Sequence, residues 1–355
     1  MPIPFNIGVL QLSMESVRET VAMAKACEEA RFDTFWIAEA YPWWRKHSFE
    51  ARSSTAILAV IAAQTRHIHL GWGIISPYTR HPVQIAMEAR VMQDLATDRF
   101  LLGLGASKIF MKEIGEGEGE KVGPATVMRE SIEIIKGVLK GDAFEYQGKV
   151  FAANVPPLRQ DAHTPRGIPP IYVAATGPVL QKMSGSVGDG LLTASITTPA
   201  FVRYSRKNME EGARKAGKNP SDLVLGSVIV GSIDRNSAKG KEGAREQAAM
   251  YLANKVQNIK GSADVLLECA GLSFDELRPI ADAMEKGGRK AAAKAVTDEI
   301  LSKVCPIAGT PDECSERIQE YCDAGCTHIM LEIWGDDRTG QAKLFGEAVL
   351  PHFRK

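Results

Sequence analysis

The sequence predicts an α/β protein, a (β/α)8 TIM barrel with insertions that include a helical insert after strand 7. Three observations carry this. Apolar runs suited to strands occur eight times along 355 residues, separated by helical patterns. The runs are apolar throughout, not polar at every second position, which implies burial on both faces as in a parallel sheet. No G-x-G-x-x-G turn follows the first strand, where a doubly wound dinucleotide fold would carry it.

The elements follow in order. Ile3–Leu10 is the first strand. Ser13 precedes Met14-Glu15-Ser16 in a capping-box-like start. Val17, Val21, Ala24 and Cys27 then recur at helical spacing, so Met14–Ala30 is an amphipathic helix. Phe32–Ala38, FDTFWIA, is the second strand and ends at Glu39; Arg52–Thr65 is the helix after it. His67–Ile75 is the third strand, with Gly71 and Gly73 inside it and Pro77 closing it. Glycine within a strand marks a bulge or a close approach to the backbone. Pro82–Leu95 is a helix, and Phe100–Gly105 is the fourth strand, leading into the glycine turn Gly103–Ser107.

Gly115–Gly123 is a charged, glycine-rich loop with no packing face, expected to be mobile. Ala125–Leu139 is a helix, and Ala143–Ala152 alternates around Gln147-Gly148 as a hairpin does. Val155–Pro170 is an extended connector. Pro170–Ala175 is the fifth strand, and Thr176-Gly177-Pro178 opens the next helix. Gly190–Ser195 is the sixth strand, Pro199–Ala216 a helix, Asp222–Gly231 the seventh strand and Ala238–Val256 a helix. The alternation breaks over Gly261–Ala295, so 257–300 is read as a helical insertion within one domain spanning 1–355. Pro311–Ala324 is a helix, Thr327–Ile333 the eighth strand and Thr339–Val349 the closing helix.

Composition narrows the function. Basic and acidic residues number 43 each, so the formal net charge is zero. That excludes a strongly basic nucleic-acid footprint or a polybasic membrane surface. The first residues, MPIPFNIGVL, lack the basic region and apolar core of a signal peptide. No apolar run reaches the ~20 residues that span a bilayer. The expectation is a cytoplasmic protein acting on a small molecule, with no nucleic-acid and no membrane partner. Of the six cysteines only Cys322 and Cys326 are close in sequence, and no second ligand pair accompanies them. The reading is reduced thiols and no metal site.

In a barrel of this kind the active site lies at the C-terminal ends of the strands. Those ends carry small residues and two carboxylates, Glu39 and Glu332, with no Ser-His-Asp set and no metal cluster. Two turns, Gly105–Lys108 and Thr176–Val179, lead towards helix N-termini, where backbone N–H groups face an anion. Such a mouth suits a large planar cofactor with a phosphate.

Five strings occur in order: FWIAE at Phe35–Glu39, GIISPYTRHP at Gly73–Pro82, LGLG at Leu102–Gly105, IYVAATGP at Ile171–Pro178 with Gly188-Asp189-Gly190, and GTPDE at Gly309–Glu313. Together they resemble the bacterial-luciferase-like superfamily, and within it the deazaflavin (F420)-dependent branch that includes methylenetetrahydromethanopterin reductase and F420-dependent glucose-6-phosphate dehydrogenase. The match covers nearly the whole chain.

The resemblance implies a barrel with an insertion near strand 7, a homodimer, and coenzyme F420 as cofactor, with FMN as the alternative. It implies a non-prolyl cis peptide at Gly73–Ile74, behind the cofactor ring, with Glu39 facing the ring. Ser76, Gly105, Ala106, Ser107, Lys108, Ala175, Thr176, Gly177, Pro178 and Val179 would hold the ribityl-phosphate side. Hydride would pass between the deazaflavin C5 and a C=O, C=N or activated C=C. Many F420 relatives place a histidine directly after the strand-two acid; here that residue is Ala40. Glu39, Tyr41 or His81 would take the proton-handling role. The same fold also hosts FMN-dependent two-component monooxygenases, and a flavin-binding barrel without catalysis would share the pattern.

Overall fold

The computed structural model describes residues 5–41, 50–106, 122–158, 167–194, 196–257 and 263–354. Its strands are β1 (Asn6–Leu12), β2 (Thr34–Ala38), β3 (His69–Ile75), β4 (Phe100–Gly105), β5 (Phe144–Gln147), β6 (Ala152–Val155), β7 (Ile171–Ala174), β8 (Gly190–Thr193), β9 (Val224–Ile233), β10 (Ile307–Gly309) and β11 (His328–Ile333). Eight of them close a parallel barrel in the order β1, β2, β3, β4, β7, β8, β9, β11 and back to β1. The β5–β6 hairpin is antiparallel and stands apart.

The helices are α1 (Val17–Glu29), α2 (Ser54–Ala62), α3 (Pro82–Leu95), α4 (Pro124–Lys140), α5 (Pro178–Val187), α6 (Pro199–Lys215), α7 (Ser237–Gln257), α8 (Ala263–Ala270), α9 (Phe274–Ala295), α10 (Asp298–Lys303), α11 (Pro311–Asp323) and α12 (Arg338–Ala348). Among the described residues no helix is long and apolar enough to cross a membrane. All six cysteines are free thiols.

Three sequence expectations shift. Strand one begins at Asn6 and runs to Leu12, past the expected Leu10. Helix α1 starts a turn later than expected, because Ser16 and not Ser13 is its N-cap; Ser16 and Glu19 form the full capping box. Ser13 is used elsewhere: its hydroxyl accepts from the Ala40 N–H at 2.9 Å and ties the ends of β1 and β2. The third shift is an added strand. β10 pairs with the far end of β9, at Ile307–Gly309, beyond the closed barrel.

Most apolar burial lies between the sheet and its helices, where Phe35, Leu70, Leu102 and Ile329 face α-helical side chains. A smaller core fills the barrel interior, built on Leu10, Trp36, Tyr172, Leu192 and Met330. Trp36 is fully buried there. Its size explains Gly71 on the neighbouring strand, since a Cβ at Gly71 would stand 2.1 Å from the indole Cε3. A second core, separate from both, joins α7, α9 and α10 through residues such as Leu252, Leu277, Ile280 and Leu301.

At the bottom of the barrel, Trp36 Nε1 donates to Thr34 Oγ1 at 2.8 Å, and Thr34 Oγ1 lies 2.8 Å from His328 Nε2. Trp36 Nε1 also lies 3.4 Å from His328 Nε2, so the three side chains form one buried network. Full burial, with the charge of His69 adding, pushes His328 down to about 3 from 6.5. Below pH 6.5 the unfolded chain therefore takes up a proton that the folded chain refuses, so this residue removes stability as pH falls towards 3. Urea unfolding of wild type and His328→Gln at pH 7.5, 6 and 5 should show the wild-type advantage shrinking by about 1.4 kcal/mol per unit below pH 6.5. An advantage independent of pH would show that His328 binds its proton in the fold as it does in the unfolded chain.

Candidate active site

The mouth of the barrel is formed by the C-terminal ends of its strands, and the tip of β3 is its most distorted part. Trp72 pairs with Leu102, but Ile75 pairs with Leu104, so β3 carries one extra residue across that interval. The Gly73–Ile74 peptide bond within it is cis. Glycine on the neighbouring strand lets the bulge approach: a Cβ at Gly103 would lie 2.1 Å from the Trp72 carbonyl oxygen. Beyond the bulge Ser76 is only 2% exposed. Its hydroxyl donates to the Ala106 carbonyl at 3.2 Å and accepts from the Tyr78 N–H at 3.3 Å, joining the β3 and β4 tips. Gly105 closes β4 against the Ile74 side chain. Ser107 and Lys108 lie outside the described residues, as do Pro42, Trp43, Trp44 and most of the Gly115–Gly123 loop.

Glu39 follows β2. Its N–H donates to the Ile74 carbonyl at 3.1 Å, so the two strand tips share a backbone bond beside the cis peptide. Strand alternation puts Trp36 and Ala38 inside the barrel, and the Glu39 side chain goes the other way. Arg80 Nη2 donates to Glu39 Oε1 at 2.6 Å, with the two side chains 14% and 7% exposed. Tyr41 OH donates to Glu39 Oε2 at 3.2 Å, and Ser54 at the start of α2 lies 3.5 Å from Oε1. Burial pushes the Tyr41 phenol up to about 12, so it is a donor and not a base at neutral pH. His81 is exposed; its Nδ1 caps α3 by accepting from the Val83 N–H at 3.2 Å, and its ring meets Phe151 edge-on.

The β7–α5 turn supplies a second part of the rim. Ala175 is buried and donates its N–H to Leu192 O at 3.0 Å. Helix α5 begins at Pro178 with Gly177 as N-cap and no side-chain cap. Its first intrahelical bond runs from Gln181 N–H to Gly177 O, so Val179 and Leu180 point N–H groups ahead of the helix. Space is open around Gly177, and Val179 is 68% exposed. Beneath this turn sits Gln181, fully buried. Its Nε2 donates to the Thr176 carbonyl at 3.0 Å and to Ser205 Oγ at 2.9 Å, while Asn208 Nδ2 donates to its Oε1 at 2.9 Å.

On the opposite side, Glu332 is the last residue but one of β11. Gln247 Nε2 donates to Glu332 Oε1 at 2.7 Å, and Tyr251 OH donates to Oε2. Both partners lie on α7, one turn apart. A cavity of about 150 Å³ adjoins this carboxylate and is lined by Leu10, Leu12, Trp334, Arg289 and Arg338. The Arg289 and Arg338 guanidinium carbons stand 5.6 and 5.9 Å from the Trp334 ring centre. Arg338 also pairs with Glu15 at 2.8 Å. No cluster of metal-ligating side chains occurs among the described residues.

The chain as a whole matches a known family. Residues 1–328 match the model of the luciferase-like monooxygenases. The chain belongs to this luciferase-like family. It is 31% identical to the 5,10-methylenetetrahydromethanopterin reductase of Archaeoglobus fulgidus, over 93% of this chain and 94% of that one. It is 28% identical to the F420-dependent glucose-6-phosphate dehydrogenase of Mycolicibacterium gilvum, over 95% and 94%. The solved structure of the coenzyme F420-dependent tetrahydromethanopterin reductase of Methanopyrus kandleri superposes with a TM-score of 0.86 at 27% identity, covering 99% of this chain and all of that one.

Three residues of this luciferase-like mouth carry no signal in their own neighbourhood of the sequence: Gln181 sits in the first turn of α5, and Gln247 and Tyr251 sit within a long helix far from Glu332 in sequence. Arg80 lies within the GIISPYTRHP string, but nothing there pairs it with Glu39. The Gln181 network is the most exposed to test. Gln181→Leu leaves the amide of Asn208 and the Thr176 carbonyl without this partner, and should destabilise the fold by about 1–3 kcal/mol in denaturant titration. A loss below about 0.5 kcal/mol would show that the turn does not depend on it.

Proposed function

We propose that this luciferase-like chain is an F420-dependent oxidoreductase acting on a small organic substrate. The observation that carries the reading is the end-to-end likeness to proteins named for F420: an archaeal reductase structure at 27% identity and actinobacterial dehydrogenases at 28%. Solved structures of monooxygenases and of FMN-bound proteins lie at 14–18% identity and share the fold.

The residues fit such a cofactor. Gly73, Gly105 and Ala106 are small residues at the β3 and β4 tips, space is open around Gly177, and the α5 N-terminus offers two N–H groups and the helix dipole to a phosphate. In this reading Gly73 and Ile74 back the ring, Ser76 holds the β3 and β4 tips that flank it, and Thr176, Gly177, Pro178 and Val179 shape the phosphate end, with Ala175 anchoring their turn. When bound, F420 supplies hydride transfer at its C5. The chain's own task is then to orient, to exclude water and to manage a proton. Tyr41, held protonated by burial, is a donor for that step. Glu39 serves it indirectly, because its carboxylate is turned to Arg80 and accepts from the Tyr41 hydroxyl. His81, spent on the α3 cap, contributes at the rim.

The substrate side falls to the cavity beside Glu332, with Trp334 and Arg289 as walls. One barrel domain over 1–355 with an insertion over 257–300 accords with the separate core that joins α7, α9 and α10. The homodimer and the cytoplasmic location rest on the family resemblance.

Fluorescence titration with purified F420 and with FMN tests the cofactor. Binding of F420 with little affinity for FMN is expected; tight FMN binding without F420 binding would overturn the reading. Val179→Asp places a carboxylate at the α5 N-terminus, and should weaken F420 binding about tenfold through like-charge repulsion at the helix end. Unchanged affinity would move the phosphate elsewhere.

A further inference from the structure

A buried charge cluster lies behind the β3 tip and remains unused by the cofactor contacts. It contains one guanidinium, Arg80, and two carboxyl groups, Glu39 and Glu88. Arg80 sits on the loop between β3 and α3, Glu39 just after β2, and Glu88 on α3. Arg80 Nη2 is bonded to Glu39, whereas Arg80 Nη1 and Glu88 Oε2 are both buried without a hydrogen-bond partner. A buried ionic group left half satisfied is expensive, so its retention calls for a reason.

The geometry supplies one. Glu39 is linked at both ends of its residue. Its backbone N–H holds the Ile74 carbonyl, the residue of the cis bond, and its side chain holds Arg80, six residues further along the same segment. The bulged stretch between them, 74–80, is thus stapled to the end of β2 at two points. Within that stretch Thr79 Oγ1 donates to the Ser76 carbonyl at 3.0 Å, and Tyr41 adds its hydroxyl to the same carboxylate.

We propose that Arg80 is a positioning residue, which clamps the tip of β3 to the end of β2 through Glu39 and so fixes the surface against which the cofactor lies. The identity of that surface rests on the F420 reading; the clamp itself does not. Glu88 is the silent member. Burial raises its carboxyl above the ordinary range, against the pull of Arg80 and with a push from Glu39, while Gln84 hydrogen-bonds it. Glu88 Oε2 and Arg80 Nη1 make no bond to each other, so the guanidinium is held by Glu39 and not by α3.

The test separates position from stability. Arg80→Met alone strands the Glu39 carboxylate and should destabilise the protein. The double variant Glu39→Gln/Arg80→Met removes both charges and should recover much of that stability. If Arg80 positions the tip, the double variant still lacks the clamp. Amide hydrogen exchange of the ligand-free full chain should then show the Glu39 amide and segment 73–80 exchanging at least about tenfold faster than in wild type, with β7 and β8 unchanged. Its affinity for purified F420 should fall by about the same factor. Arg80→Lys keeps a charge without the fork and should restore part of the protection. Wild-type exchange at Glu39 and 73–80 in the double variant would overturn the proposal. So would a Glu88→Gln variant that loosens the tip as much as Arg80→Met. Wild-type protein that binds no F420 would count against the cofactor reading alone, because the exchange result decides the clamp without any ligand.

Discussion

A closed parallel barrel commits every strand to two neighbours, and that commitment is what the mouth of this protein works against. Between Trp72 and Ile75 the third strand carries one residue more than its partner β4 can pair. The excess has to be absorbed, and the neighbouring strands are built to do so. Gly103 gives way to the Trp72 carbonyl, and Gly71 gives way to the Trp36 indole on the other flank. The Glu39 N–H, from the end of β2, takes up the Ile74 carbonyl within the irregular stretch. Trp36 then fills the interior that these glycines leave, and its own N–H is satisfied by Thr34 above a neutral His328. Bulge, interior packing and the polar floor of the barrel are therefore one arrangement, in which no part can be moved without leaving a void or an unpaired group.

The strands were legible because burial on both faces leaves a plain mark. TFWIA and FLLGLG are apolar at every position, as a central parallel strand requires. Boundaries were less so. Helix α1 begins at Ser16 because Glu19 completes its box, a choice between two serines that spacing alone did not make. β10 left no periodic signal at all: three residues are too few for one, and its pairing exists only because β9 runs on past the barrel. At the site, the residue types at the strand ends were readable, but their directions were not. Glu39 stands next to Ala38, and one step along a strand reverses the side chain; that its carboxylate pairs with Arg80, 41 residues away, follows only from how the β2 and β3 tips meet. Glu332 was visible as an acid at a strand end; that Gln247 and Tyr251 cover both its oxygens follows only from how α7 lies on the barrel.

The two sides of the mouth rest on different foundations. The side with the bulge and the α5 N-terminus is made by barrel strands and the turns that follow them, and its supports reach into the main core. Gln181 is the clearest case, since it fastens the β7–α5 turn to α6 from beneath. The other side is made by α7 and α9, whose apolar faces pack on one another in a core of their own. Helix α9 turns at Gly288, where φ is +70°, and the next residue, Arg289, meets the Trp334 ring. A positive φ there is open to glycine and strained for other residues, so the turn that aims Arg289 is specific to that position.

This division has a consequence for how specificity can arise. A change among Leu277, Ile280 or Leu301 repacks the second core and moves the wall bearing Arg289, while the strand tips keep their own bonds to one another. A change at Gly71 or Trp36 does the reverse, because it acts on the barrel interior that supports the bulge. If one ligand is common to many such barrels and the other differs, the common one belongs where the strands alone fix the geometry, and the variable one where a separately cored set of helices can shift. The open α5 N-terminus lies on the first side and the Trp334 cavity on the second, the same sides that the proposed function gives to the phosphate-bearing cofactor and to the substrate.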